Sequence, residues 1–234
     1  MVHMGGSKHL KRFAAPGVWP IPVKRYTWAI KPLPGPHRMD LCIPLGMVLR
    51  DILKLGETLR EVKFILNSGY IKIDGVVRGE YKFPVGIMDV ISIPKLDKHY
   101  RIVPSSKGMK LIEIPPEEAD KKIVKVTTKK IIKGGKTQLG TNDGRSILLD
   151  AGQEIKRGDS LLIKIPNQEI IEHLPIAEGN IAIFYRGKNA GTVGEIVEVS
   201  DLVKISHDGQ IYSGLKDYIM VVGRDKPLIK VNGA

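Results

Sequence analysis

The residues able to do chemistry in this chain are few, and their spacing argues against most of it. His3, His9, His37, His99, His173 and His207 could ligate a metal or move a proton, but no two stand at the i, i+4 spacing of a helical metal pair. Cys42 is the only cysteine, which excludes an intramolecular disulfide and any cysteine-based zinc knuckle or ribbon. No flanking pattern marks it as a nucleophile, and a small apolar filler is the plainer role. Asp and Glu are scattered through the chain without a pairing signature. One glycine-rich run, Arg186-Gly187-Lys188-Asn189-Ala190-Gly191-Thr192-Val193-Gly194, suggests a phosphate cradle. No Lys-Ser/Thr pair and no helical pattern follow it, so it does not read as a nucleotide P-loop. No catalytic residue, metal or cofactor is expected.

Cations are what the chain has in abundance. Thirty-seven Lys and Arg against twenty-five Asp and Glu give a net charge of +12, which calls for an anionic partner, and polyanionic nucleic acid is the first choice. An anionic membrane would normally need an amphipathic helix or lipid anchor as well, and neither is seen. No apolar run approaches the ~20 residues that span a bilayer, and the N-terminus lacks the apolar core of a signal peptide. A soluble, intracellular protein, monomeric when free, is expected.

Half of that charge lies in residues 1–42, where Lys8, Lys11, Arg12, Lys24, Arg25, Lys31 and Arg38 face one acid, Asp40. Pro16, Pro20, Pro22, Pro32, Pro34 and Pro36 deny the same stretch a long helix or central strand. The expectation is an extended arm, ordered mainly by what it binds. Lys8, His9, Lys11, Arg12, Lys24, Arg25 and Lys31 are its candidate nucleic-acid contacts. Trp19, Tyr26 and Trp28 interleave with these charges and could stack on splayed bases or pack under the body. Packing is expected for Trp28, and both readings stay open for Trp19. Met1 and Met4 are alternative starts.

These residues need elements to hold them, and the chain reads as α+β in several units. In residues 43–104, Leu45, Val48, Leu49, Ile52 and Leu53 recur at helical spacing after Pro44. Leu59, Val62, Ile65 and Leu66 form a second helix ending at Ser68-Gly69. Short strands around the Asp74-Gly75 turn and at Val90–Ile93 complete this unit. Arg50 with Lys54, and Arg60 with Lys63, are spaced to straddle phosphates on a helical face. The interleaved Asp51, Glu57 and Glu61 equally suit an ordinary solvated face. Lys72, Arg78 and Lys82, on and beyond the hairpin, are assigned to the same interface. Residues 105–177 read as a central β unit, with Lys129, Lys130, Lys133 and Lys136 flanking a hairpin. They are either a phosphate patch or an edge kept soluble by lysines. Residues 178–234 read as a second β unit carrying Arg186, Lys188 and the glycine loop.

Three stretches carry a family resemblance. Leu45–Ile93, with Thr58-Leu59-Arg60-Glu61, Gly69-Tyr70-Ile71, Ile73-Asp74-Gly75 and Asp89-Val90-Ile91, resembles the S-four RNA-binding domain, whose helices carry basic residues against folded RNA. Arg186–Ile196 is similar to the KOW motif, a loop-strand element of a small β-barrel, with Gly187, Gly191 and Gly194 in its loop. The usual form has a basic residue where this chain has Thr192. Lys8-His9-Leu10-Lys11-Arg12, Trp19-Pro20-Ile21-Pro22 and Lys31-Pro32 through Pro36-His37 resemble the N-terminus of the archaeal and eukaryotic ribosomal protein S-four-e family. Tyr81–Ile91 and Leu215-Lys216-Asp217-Tyr218 also fit that family. The resemblance implies the order arm, S-four domain, central β domain, KOW barrel. It further implies a structural, non-enzymatic place in the small ribosomal subunit, bound to rRNA and neighbouring ribosomal proteins in the cytoplasm. The compact length suggests the archaeal type. The rivals are a KOW-containing transcription or assembly factor and an S-four-bearing RNA-modifying enzyme. The latter would need a catalytic domain that residues beyond 104 do not resemble.

Overall fold

The computed structural model describes residues 7–22, 24–132, 134–149 and 154–231. Of the expected contacts, Lys133 lies outside the described residues, as do residues 1–6 of the arm.

The described part of the arm folds back onto the body. Strands β1 (Leu10–Lys11) and β2 (Trp28–Ala29) pair antiparallel. The loop between them is pinned by Trp19, which is 2% exposed and donates its indole N–H to the Cys42 carbonyl at 2.6 Å. The prolines keep regular structure in the arm short, and a large aromatic in the loop supplies burial that the aliphatic-poor arm otherwise lacks. Trp28, expected to pack, is instead 52% exposed.

β3 (Cys42–Pro44) leads into the first helical segment, where α1 (Leu45–Met47) loosens into π-helical turns at Val48–Ile52. The Leu53 amide reaches the Val48 carbonyl at 2.9 Å, an i→i−5 bond, and Lys54 follows in the left-handed region at φ +54°. Arg50 and Lys54 therefore do not share a helical face, contrary to the reading from spacing. α2 (Leu59–Asn67) begins at a capping box: the Glu61 amide donates to the Thr58 hydroxyl, and the Glu61 carboxylate accepts from the Thr58 amide. Val62 and Leu66 bury its inner face.

The first of three five-stranded antiparallel sheets packs here. It runs β5-β4-β7-β8-β9, from β4 (Lys72–Ile73), β5 (Val76–Val77), β7 (Val90–Ile93), β8 (Lys98–Ser105) and β9 (Gly108–Ile114). Asp74 (φ +49°) and Gly75 (φ +79°) make the β4–β5 turn, and β6 (Pro84–Gly86) pairs separately with β3. A division at 104/105 falls inside the β8–β9 hairpin, so the first sheet extends to Ile114. Pro104 read as a boundary, yet its Cα lies opposite Met109 within the paired strands.

The second sheet, β12-β11-β10-β13-β14, comprises β10 (Lys121–Ile131), β11 (Thr137–Thr141), β12 (Ser146–Leu149), β13 (Ser160–Lys164) and β14 (Glu169–Leu174). The third, β18-β17-β16-β15-β19, comprises β15 (Ile181–Phe184), β16 (Val193–Val199), β17 (Leu202–His207), β18 (Gln210–Leu215) and β19 (Ile219–Gly223). The cores do not respect these units. One apolar cluster joins Trp19, α2 and the third sheet, and the other joins Val103 and Ile112 of the first sheet to Val124, Leu139 and Leu161 of the second.

Candidate nucleic-acid interface

The cations fall into two groups, those enclosed by protein partners and those left at the surface. The largest assembly of the first group sits where arm, first sheet and second sheet meet. Lys122, whose side chain is 1% exposed, donates from Nζ to Asp74 at 2.7 Å and to Asp89 at 2.5 Å, and pairs with Asp143 at 2.9 Å. Arg145 bridges Asp74 and Asp143 at 2.6 and 2.8 Å, and His37 from the arm meets Asp89 at 3.0 Å. Turns build the cluster. Asp74 opens the β4–β5 turn, Asp143 lies in the Asn142-Asp143-Gly144 turn, and both project toward the inward face of β10.

Burial would lower the Lys122 ammonium, but the three facing carboxylates outweigh it and raise its pKa. Burial likewise opposes ionisation of Asp89, which His37 and Lys122 nonetheless hold below the usual carboxylate range. Asp143 is pulled down to about 2, chiefly by Lys122 against the cost of its burial. The cluster lines a cleft of about 440 Å³.

Other cations are also committed inward. Arg101, fully buried in β8, donates to the Glu118 carboxylate and to the Glu118 and Lys121 carbonyls. Lys125 donates to the Lys216 and Ile219 carbonyls at 2.6 and 2.7 Å, tying the second unit to the third, and burial pushes its pKa down to about 8. Burial, reinforced by Asp89 and Asp40, pushes the Cys42 thiol up to about 12, which suits an apolar filler.

Three of the contacts expected from sequence belong to this committed group. Arg50 chelates Asp51 through two bonds of 3.0 and 2.8 Å and lies over the Tyr26 ring, with its side chain 10% exposed. Arg12 donates to the carbonyls of Ile21 and Pro22, closing the arm's loop. Arg186 pairs with Asp40 at 2.8 Å and so ties the glycine loop to the arm.

The glycine loop itself faces protein. A Cβ on Gly191 (φ +90°) would lie 2.6 Å from the Ser105 Cα, and one on Gly194 would lie 2.0 Å from the Ser206 carbonyl. Gly187, at φ +88°, turns the loop beside the Tyr218 ring. Lys188, by contrast, is exposed.

The surface group gathers around α2 and the arm. Arg60 and Lys63 are exposed on α2, and Lys63 lies over the Tyr81 ring at 4.5 Å, with Lys82 over the same ring at 5.5 Å. Lys82 in turn lines one groove with Lys8 and Lys31. Arg38, a basic residue not assigned to the interface from sequence, lines it too. Lys11 and His9 flank Trp28, Arg25 lies over Tyr26, and Arg78 lies over Phe83 at 4.7 Å. Lys24 and Lys54 are exposed, whereas Lys72 is half-buried in β4. Lys129, Lys130 and Lys136 are exposed on the β10–β11 hairpin.

Sequence reasoning missed the inward cations. A signal for one was present: alternation puts Lys122 in phase with Val124 and Val126, on a face that must be buried. Among the described residues no group of His, Cys, Asp and Glu is arranged to hold a metal ion, and no helix is long and apolar enough to cross a membrane.

Comparison with known proteins gives a consistent result along the whole chain. The model of Ribosomal family S4e matches residues 96–170, and that of the RS4NT (NUC023) domain matches residues 4–40. The small ribosomal subunit protein eS4 of Korarchaeum cryptofilum (strain OPF8) is 44% identical over 235 residues, spanning 99% of this chain and 100% of that protein. The protein of the same name from Ignicoccus hospitalis is 43% identical, spanning 97% and 96%. The crystal structure of the 30S ribosomal protein S4e from Thermoplasma acidophilum shares the fold with a TM-score of 0.70 at 34% identity, over 79% of this chain and 96% of that one.

Proposed function

The chain belongs to the ribosomal family S4e, and from that premise we propose that it is a structural constituent of the small ribosomal subunit that binds rRNA beside neighbouring ribosomal proteins. The family's role is structural rather than enzymatic. The observation that carries this reading is identity of 44% spanning essentially both chains, so that arm, sheets and C-terminal unit all correspond at once.

In this reading the chain comprises a basic arm (1–42), an S-four-type RNA-binding unit around α2, a central β unit, and a KOW-type barrel from residue 178. The surface cations supply the RNA contacts, with Arg60, Lys63 and Lys82 at their centre. Lys8, Lys11, Lys24, Arg25, Lys31, Arg78, Lys129, Lys130 and Lys188 extend them. Several weak contacts linked on one RNA raise avidity without any single tight site. The glycine loop contributes chiefly by docking the barrel against the first sheet.

Gradient sedimentation of a native lysate at low and high salt tests the proposal. Co-migration with the small subunit that survives a high-salt wash is expected. Migration near the top of the gradient, or with RNA polymerase, would overturn it in favour of a KOW-containing factor.

A further inference from the structure

The groove between the arm and Lys82 has a construction that generic phosphate binding does not require. Its volume is about 830 Å³, within the range of sites that enclose a small ligand. Four cations, Lys8, Lys31, Arg38 and Lys82, stand around it; none of its lining residues is a carboxylate, and Asp40, just outside the lining, pairs with Arg38 at 3.2 Å. Between them the lining is apolar, with Pro32, Leu33 and Met39 prominent, and Leu33 is left 44% exposed. The wall is anchored. The Leu33 amide donates to the Lys82 carbonyl at 3.0 Å, and Lys31 Nζ donates to the Ser7 carbonyl. Gly35 lets the arm lie close to the body, since a Cβ there would come 2.6 Å from Pro84 Cγ.

A phosphate backbone alone would be served by a flat array of lysines. An apolar floor under a cationic rim matches a different ligand, one with a flat apolar face and an anionic tether. We infer that this groove seats a single unstacked nucleotide of the bound RNA, its base against Pro32 and Leu33 and its flanking phosphates on Lys31, Arg38 and Lys82. Single-stranded or splayed bases are the parts of RNA that proteins can engage on their faces. A basic peptide segment of a neighbouring protein would find no carboxylate in the lining, and Asp40 beside it is already paired with Arg38 and Arg186. The inference rests on the rRNA-binding reading above and names where one base goes.

The test is ultraviolet cross-linking of the full chain to small-subunit rRNA, read by mass spectrometry, together with binding of Leu33→Ala across a salt series. Leu33 is partly exposed, so its truncation should leave the urea midpoint unchanged. A nucleotide attached within residues 31–39 or at Lys82 is expected. Leu33→Ala should lose that adduct and weaken binding roughly three- to tenfold with an unchanged salt slope, because no phosphate contact is removed. Wild-type binding with cross-links only elsewhere and an indifferent Leu33→Ala would overturn the nucleotide seat and leave the functional reading standing. Cross-links from this groove to another protein in assembled subunits would also overturn it, in favour of a peptide occupant. Failure of the wild type to bind rRNA would overturn both.

Discussion

Lys122 and Lys63 carry the same charge on the same stem in opposite surroundings. Lys122 is enclosed by three aspartates from the β4–β5 turn, the start of β7 and the β11–β12 turn, and bulk salt has little access to it. Lys63 lies over an aromatic ring on an exposed helix, beside Lys82 and Arg60. The first arrangement assembles the protein, joining arm, first sheet and second sheet. The second leaves charge at the surface, where a polyanion would relieve the repulsion among its members. A net charge of +12 therefore does not distinguish the cations that protein groups enclose from those left at the surface, and the proposed RNA contacts are drawn from the second set.

The sharpest way to break this comparison is Lys122→Met. It leaves Asp74, Asp89 and Asp143 buried around Arg145 and His37 alone, and a loss of ~3–5 kcal/mol in urea unfolding is expected. A change below ~1 kcal/mol would mean that the cluster does not hold the units together.

Acid probes the same site from the carboxylate side. The folded value of Asp143, about 2, lies below its ordinary 3.8, so its stabilisation is present above about pH 4 and is lost as pH falls through about 2. That loss is ~2 kcal/mol, and Asp89, shifted in the same direction, adds to it. Urea midpoints that stay flat from pH 5 to pH 2 would contradict the assignment.

Gly191→Ala tests whether the glycine loop faces protein. Its positive φ and the Ser105 backbone at 2.6 Å predict ~1–3 kcal/mol of lost stability by thermal unfolding. A neutral substitution that reduces RNA binding would reverse the reading of this loop. Smallest is Thr58→Ala, which removes the capping box below Arg60 and Lys63 and should cost ~1 kcal/mol in the same assay.

Much of the fold was legible where local chemistry dictates structure. The helix through Leu59, Val62 and Leu66 with its end at Ser68-Gly69, the Asp74-Gly75 turn and the β character of residues 178–234 are all local signals. β8 and β11 were not legible, because Lys98–Ser105 carries charges and a proline while Thr137–Thr141 is mostly polar. The arm misled for a tertiary reason: burial of Trp19 depends on Cys42, 23 residues away, and no local pattern reports that. The division of cations was hidden in the same way. Arg50 and Lys63 both look like helical surface residues, and only the π-helical turns and the Tyr26 ring draw Arg50 inward.

The salt dependence of rRNA binding tests the central division most directly, measured for the wild type and for Arg60→Ala/Lys63→Ala. Each lost phosphate contact removes ~0.7–0.9 from the slope of log K against log salt, so the double variant should be shallower by up to about two units with an unchanged urea midpoint. A slope identical to the wild type's would show that the α2 cations do not meet phosphate, and the exposed face would not be an RNA-binding surface.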